Sequence, residues 1–110
     1  MAVLAPNILY AMIRRIVKMT FQPEHCAEFE AIFEASKDRI RAFPGCEHLE
    51  LWRCRQPENV YMTYSHWQDE AALDAYRHSG LFQVTWAKTK RLFGDKPEAW
   101  SLEVQSVPHS

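Results

Sequence analysis

Thr63, Ser65 and Trp67 stand two residues apart in the run VYMTYSHW, with Tyr61 before them. On a strand, residues i, i+2 and i+4 line one face, so two hydroxyls and an indole would look into the same space. The helical pieces that follow, QDEAALDAYRHSG and LFQVTWAKTKRLF, carry Tyr76 and Trp86. Small side chains leave room, hydroxyls orient a ligand and rings bracket it, which is how a small-molecule pocket is built. Counting Tyr64, four rings (Tyr64, Trp67, Tyr76, Trp86) are expected near one another. Core packing is the competing reading, because rings at helical spacing fill interiors more often than they bind ligands.

Two histidines flank this set. His66 and His48 are available for proton transfer if the strand register is shifted by one residue. Cys46 and His48, two apart on one expected strand face, with His66 opposite and Glu50 beyond, make the sharpest metal-ligand spacing in the chain. Such spacing is common by chance, and no metal is expected. His78, two residues after Tyr76, is expected to point to solvent; His25 and His109 have no assigned role. With only Gly45, Gly80 and Gly94 there is no glycine-rich loop to cradle a phosphate, and neither a GxSxG elbow nor an HExxH pair occurs. Any catalysis must use a small apolar cavity and a few polar groups.

The totals bound the remaining classes. A chain of 110 residues suits one domain, and 13 basic against 14 acidic residues leave no electropositive field for nucleic acid. Three cysteines with no CxxC spacing suit a reducing compartment, the cytoplasm. Residues 1–11 lack a positive n-region and are too short to span a bilayer, so neither export nor membrane insertion is expected. They read as an extension or arm, with one domain over 12–107 and a tail at 108–110.

The positioning elements follow from periodicity. Met12 to Phe21 alternates as a strand, with Arg15, Val17, Met19 and Phe21 on one side and Arg14, Ile16, Lys18 and Thr20 on the other. Gln22-Pro23 opens a helix whose Cys26, Phe29, Phe33, Ser36, Ile40 and Phe43 form one buried stripe, and Pro44-Gly45 ends it. Cys46 to Cys54 and Val60 to Trp67 make a hairpin turning near Pro57, with His48 facing His66, Glu50 facing Tyr64 and Trp52 facing Met62. Leu49, Leu51, Tyr61, Thr63, Ser65 and Trp67 share the opposite face. Asp69 caps a helix burying Ala72, Leu73 and Tyr76 up to Gly80, and a second piece buries Phe82, Trp86, Thr89 and Phe93. Ala99 to Val107 alternates as a last strand.

That order predicts an α+β fold, a ferredoxin-like split βαβ (βαββαβ) protomer whose four-stranded antiparallel sheet carries both helical layers on one face. The other face would hold Trp52, Met62 and Tyr64 with nothing over them. A patch of that size usually meets a partner, so two copies are expected to pack sheet to sheet as a homodimer.

The run TYSHWQDEAALDAYRHSGLF, followed by WAKTKRLF and PEAWSLEV, resembles the antibiotic biosynthesis monooxygenase domain, which includes quinol-monooxygenase-like proteins of the dimeric α+β barrel superfamily. The likeness runs from Met12 to about Val107. It implies a homodimeric barrel with a cavity between each sheet and its own helices. It also implies oxidation of phenols or quinols by molecular oxygen without metal or flavin. Trp67 matches the tryptophan that ends the third strand and lines the cavity in that family. Haem-degrading relatives carry an asparagine, a tryptophan and a histidine where this chain has Val17, Tyr76 and Trp86, which disfavours haem chemistry. Thr63 stands where phenol-oxidising relatives have an asparagine.

The expected activity is therefore a cofactor-independent monooxygenase acting on a small aromatic, phenol or quinol. Trp67, with His66 or His48, is the candidate catalytic group, and Tyr61, Thr63, Ser65, Tyr76 and Trp86 are candidates to bind substrate. A small-metabolite isomerase and a non-catalytic ligand-binding dimer on the same fold are the alternatives.

Overall fold

The computed structural model describes residues 12–108. The extension expected over residues 1–11, and His109, lie outside them. Strand β1 (Ile13–Thr20) leads through a 3-10 turn at Pro23–His25 into helix α1 (Cys26–Arg41). Strands β2 (Cys46–Arg53) and β3 (Val60–Trp67) form the hairpin, and helices α2 (Glu70–Arg77) and α3 (Gly80–Lys90) precede strand β4 (Glu98–Leu102). The sheet is antiparallel in the order β2-β3-β1-β4. This is the expected α+β, ferredoxin-like arrangement.

Proline at the start of the 3-10 turn withholds an N–H that the first turn would leave unpaired. In α1 the expected stripe is buried at Cys26, Phe29, Phe33, Ser36 and Ile40, while Phe43 falls just past the helix and is half-buried. Phe29 and Phe33 each gain about 1.5–3 kcal/mol from leaving water. Asp69 accepts from the Ala72 N–H at 2.9 Å, as a good cap should. Ser79 does the same for Phe82 at 3.1 Å, so the break at Ser79-Gly80 is a capped start as well as a stop. Gln22 caps nothing; its amide donates to the Phe93 carbonyl at 3.2 Å.

Pairing within the hairpin follows the expected register: His48 faces His66, Glu50 faces Tyr64 and Trp52 faces Met62. One residue departs. A bulge between Cys46 and His48 sets Cys46 opposite Trp67, on the helix side, whereas His48 faces outward. The imagined group of Cys46, His48, His66 and Glu50 is thereby split across the sheet. Among the described residues no cluster of three or more His, Cys, Asp or Glu could hold a metal.

Strand β4 is shorter than its alternation suggests. Leu102 pairs with Arg14, one residue from the start of β1, so beyond it the partner strand runs out. Two packed clusters lie under the helices. Met19, Phe21, Cys26, Phe29, Phe33, Tyr61 and Leu92 fill one end, and Ile13, Cys46, Trp67 and Leu73 fill the other. The space between them is not closed.

Candidate active site

A cavity of about 400 Å³ opens between the sheet and its helices. Val17, Leu49, Thr63, Ser65 and Trp67 make its floor, and Phe29, Phe33, Tyr76, Phe82 and Trp86 supply the wall and roof. Strand alternation explains the floor: these residues, with Arg15 beside them, fall on the helix-facing side of their strands.

The rings form a continuous wall. Trp67 stacks on Tyr76 with centroids 4.9 Å apart and planes 24° from parallel. Tyr76 meets Phe82 edge-on at 5.2 Å, and Phe82 stacks on Trp86 at 5.7 Å. Each contact adds about 0.5–1.5 kcal/mol beyond area burial and restricts the rings to one arrangement. Trp67 is 1% exposed, and its indole N–H donates to Ser65 Oγ at 2.9 Å. The serine hydroxyl keeps its own proton for another acceptor.

Electrostatics sharpen the roles. Burial, with a smaller contribution from Cys46, pushes the Tyr76 hydroxyl well above the ordinary phenol range, so it is a neutral donor. Burial also raises the Cys46 thiol, although its hydrogen bond to the His48 backbone and then the Arg41 charge work against it; the sulfur is protonated at neutral pH. Thr89 spends its hydroxyl on the Thr85 carbonyl at 2.8 Å.

Of the residues singled out from the sequence, the cavity brings together Thr63, Ser65, Trp67, Tyr76 and Trp86. Three do not join them. Tyr61 is on the same sheet face but packs into the other cluster against Phe21 and Phe29, with its hydroxyl bonded to Glu30. His48 and His66 sit on the outer face, ring centroids 4.8 Å apart, because the register is the one that points them away from the helices. Tyr64 is also outside, stacked on Trp52 at 4.7 Å.

Sequence reasoning passed over Arg15, Arg77 and His78, all of which line the cavity. Arg15 follows from the alternation that put it beside Val17 and Met19. Its Nη1 donates to Ser101 Oγ at 2.9 Å. Burial, then the neighbouring Arg77, lower its pKa against the pull of Glu70, but an arginine stays charged. His78 stands exposed at the mouth, where Nδ1 is 2.8 Å from the Asp74 carbonyl. A carbonyl only accepts, so Nδ1 carries hydrogen and, in the neutral ring, Nε2 is an acceptor.

A ferredoxin-like sheet with an aromatic-walled, hydroxyl-floored cavity beneath its helices defines the class. Residues 12–88 match the model of the antibiotic biosynthesis monooxygenase family, and the chain belongs to that family. Among solved structures it is similar to a conserved protein from Methanosarcina mazei Go1, with a TM-score of 0.84 and 17% identity over 89% of this chain and 97% of that one. It is also similar to a variant of SnoaB, a cofactor-independent oxygenase from Streptomyces nogalater, with a TM-score of 0.77 and 20% identity over 88% and 96%. Rv0793 from Mycobacterium tuberculosis matches at a TM-score of 0.80 and 17% identity over 89% and 99%. No curated protein matches the sequence significantly. At such identities the structural likeness speaks for the fold. Among the described residues no helix is long and apolar enough to cross a membrane.

Proposed function

We propose that this protein is a cofactor-independent monooxygenase that oxidises a small phenol or quinol with molecular oxygen, and that it works as a homodimer. The observation that carries the reading is the stacked Trp67–Tyr76 wall standing over the Thr63 and Ser65 hydroxyls in a cavity of about 400 Å³. That volume suits one or two fused rings.

In this reading the flat substrate slides along the rings, and its oxygen meets the Ser65 and Thr63 hydroxyls. Tyr76, held neutral, donates a further hydrogen bond. These donors stabilise the phenolate, whose ring carbon gives electrons to oxygen in a dry site where such bonds are strongest. Overall, a phenol and one oxygen molecule give a quinone and water: one oxygen atom joins the ring carbon and the other leaves with the two hydrogens. His78 Nε2 at the mouth would accept the first proton, a role the outward-facing His48 and His66 are on the wrong side of the sheet to fill.

Support for the homodimer comes from the uncovered sheet face. Ile16, Tyr64 and Trp100 stand side by side across three strands, and Trp52, Trp100 and Leu102 are 41–44% exposed. Arg14 Nη1 and His66 Nε2 are buried there without a hydrogen-bond partner among the described residues, which a facing sheet could supply.

Oxygen uptake by the full-length protein with small quinols tests the activity. Uptake above the uncatalysed rate, and loss of turnover under anaerobic conditions, is the expected result. Equal substrate consumption without oxygen, or uptake never exceeding the uncatalysed rate, would overturn it.

A further inference from the structure

We infer that the ring-shaped ligand of this cavity carries a carboxylate, and that Arg15, flanked by Ser65 and Ser101 on the sheet floor, is the residue that receives it. The inference rests on the aromatic-substrate reading above and adds the chemistry of the ligand's polar end.

The residues make a row. Arg15 pairs with Ser65 of β3 on one side and with Ser101 of β4 on the other, so hydroxyl, guanidinium and hydroxyl cross three neighbouring strands. All three side chains point to the helix side, beside the floor that Val17 and Thr63 continue. Serine oxygens on both sides leave space around the guanidinium where larger residues would have covered it.

Charge is the second argument. Among the described residues Arg15 has no carboxylate within ion-pair distance; its one side-chain partner is Ser101 Oγ. The other charged groups around the cavity do not neutralise it. Arg77 is of the same sign and pairs with Asp74 at 3.6 Å, Glu70 acts on Arg15 only from farther away, and Glu98 lies exposed at the edge. Arg15 is half-buried, and a cation partly withdrawn from water without a counter-ion gains from a bound anion.

Shape selects the anion. With Nη1 committed to Ser101, the fork keeps Nε–H and Nη2–H for two oxygens in one plane, which a carboxylate offers. An aromatic acid would thus lay its ring on the Trp67–Tyr76 wall while its carboxylate meets Arg15.

The structural alternative is that Arg15 merely ties β4 to β1 through Ser101. Discrimination between an acid and its neutral amide separates the two, since a purely structural tie would not distinguish them. Binding of 4-hydroxybenzoate and 4-hydroxybenzamide to the full-length protein, followed by tryptophan fluorescence in the absence of oxygen, is the measurement. The wild type is expected to favour the acid at least about tenfold. Arg15→Gln should weaken the acid by about tenfold to a hundredfold and leave the amide unchanged. If Arg15→Gln does not fold, Arg15→Lys carries the test: it keeps the charge but not the fork, and the acid preference should shrink severalfold.

Equal affinity for acid and amide, no binding of the acid at millimolar concentration, or equal weakening of both by either variant overturns the inference. Acid preference with no oxygen uptake on any phenol would instead overturn the oxygenase reading and leave the carboxylate site standing. Uptake on neutral quinols without acid preference would do the reverse.

Discussion

Trp67 donates its indole N–H to Ser65 Oγ at 2.9 Å, two residues back along the same strand face. The bond fixes the indole plane against Tyr76 and satisfies a polar group that is otherwise shut away from water. Ser65→Ala would strand that N–H, costing about 1–3 kcal/mol of stability. Trp67→Phe keeps a ring but opens a gap at the cavity wall, so turnover should fall about tenfold or more while the melting temperature drops by several degrees. Thermal denaturation and oxygen uptake on both variants check this. Unchanged melting of Ser65→Ala would show that the hydrogen bond is replaceable.

Gly45 holds a second constraint on the same corner. Its φ of 89° lies in the left-handed region, and a Cβ there would collide with the Ala72 methyl on α2. Its carbonyl accepts from the Gln68 N–H at 2.8 Å, which ties the start of β2 to the end of β3. Gly45→Ala should cost more than about 1 kcal/mol, the backbone term alone. Adding Ala72→Gly relieves the collision but not the φ, so the double variant should recover only part of the loss in urea unfolding. Full recovery would mean the backbone strain is negligible.

How much of this was readable beforehand depended on period. The hairpin register from His48 to Trp52 and the stripe Cys26, Phe29, Phe33, Ser36 and Ile40 came from regular alternation, which the native chain keeps. Cys46 was misplaced because a bulge inserts a residue, and a bulge leaves no mark in a pattern of apolar and polar letters. Tyr61 shares a face with Thr63 but not a neighbourhood: position along the strand decides which cluster it joins, and alternation carries no such information. Arg15 stood on the inward side with Val17, Met19 and Phe21 but was given no role, since alternation places a charged residue on a face without saying what it meets. His78 is solvent-exposed as its offset to Tyr76 implied, and what the offset did not carry is that α2 ends there at the cavity mouth.

Acid should weaken the fold through His66. Burial lowers its pKa below the ordinary value of about 6.5, helped by Arg14 and His48 and opposed by Glu50. Glu50 stays ionised because Trp52 and then His48 hydrogen-bond to it. The native state therefore binds fewer protons at His66 than the unfolded chain does. Its contribution is intact above the unfolded value of about 6.5 and is lost as pH falls below it, toward the depressed folded value. Urea midpoints measured from about pH 7 down to about pH 5 should decline, and His66→Gln, which cannot charge, should decline less. A His66→Gln profile parallel to the wild type would assign the acid sensitivity elsewhere.

The outer face offers the last test. Glu50, Tyr64, Ile16 and Trp100 lie in one row across all four strands, flanked by a row of His48, His66, Arg14 and Leu102. Ile16 is central, on the strand that holds β3 to β4, and points away from the cavity. A glutamate there leaves the helix-side core untouched while adding a desolvated charge to any sheet packed against it. If two copies meet through this face, Ile16→Glu should convert a dimer to a monomer by sedimentation analysis. The variant's far-ultraviolet signal should stay native. Because the cavity mouth is on the opposite side, ligand binding by the monomer should survive. A wild-type protein that sediments as a monomer, or an Ile16→Glu variant that remains dimeric, would remove this face from the assembly.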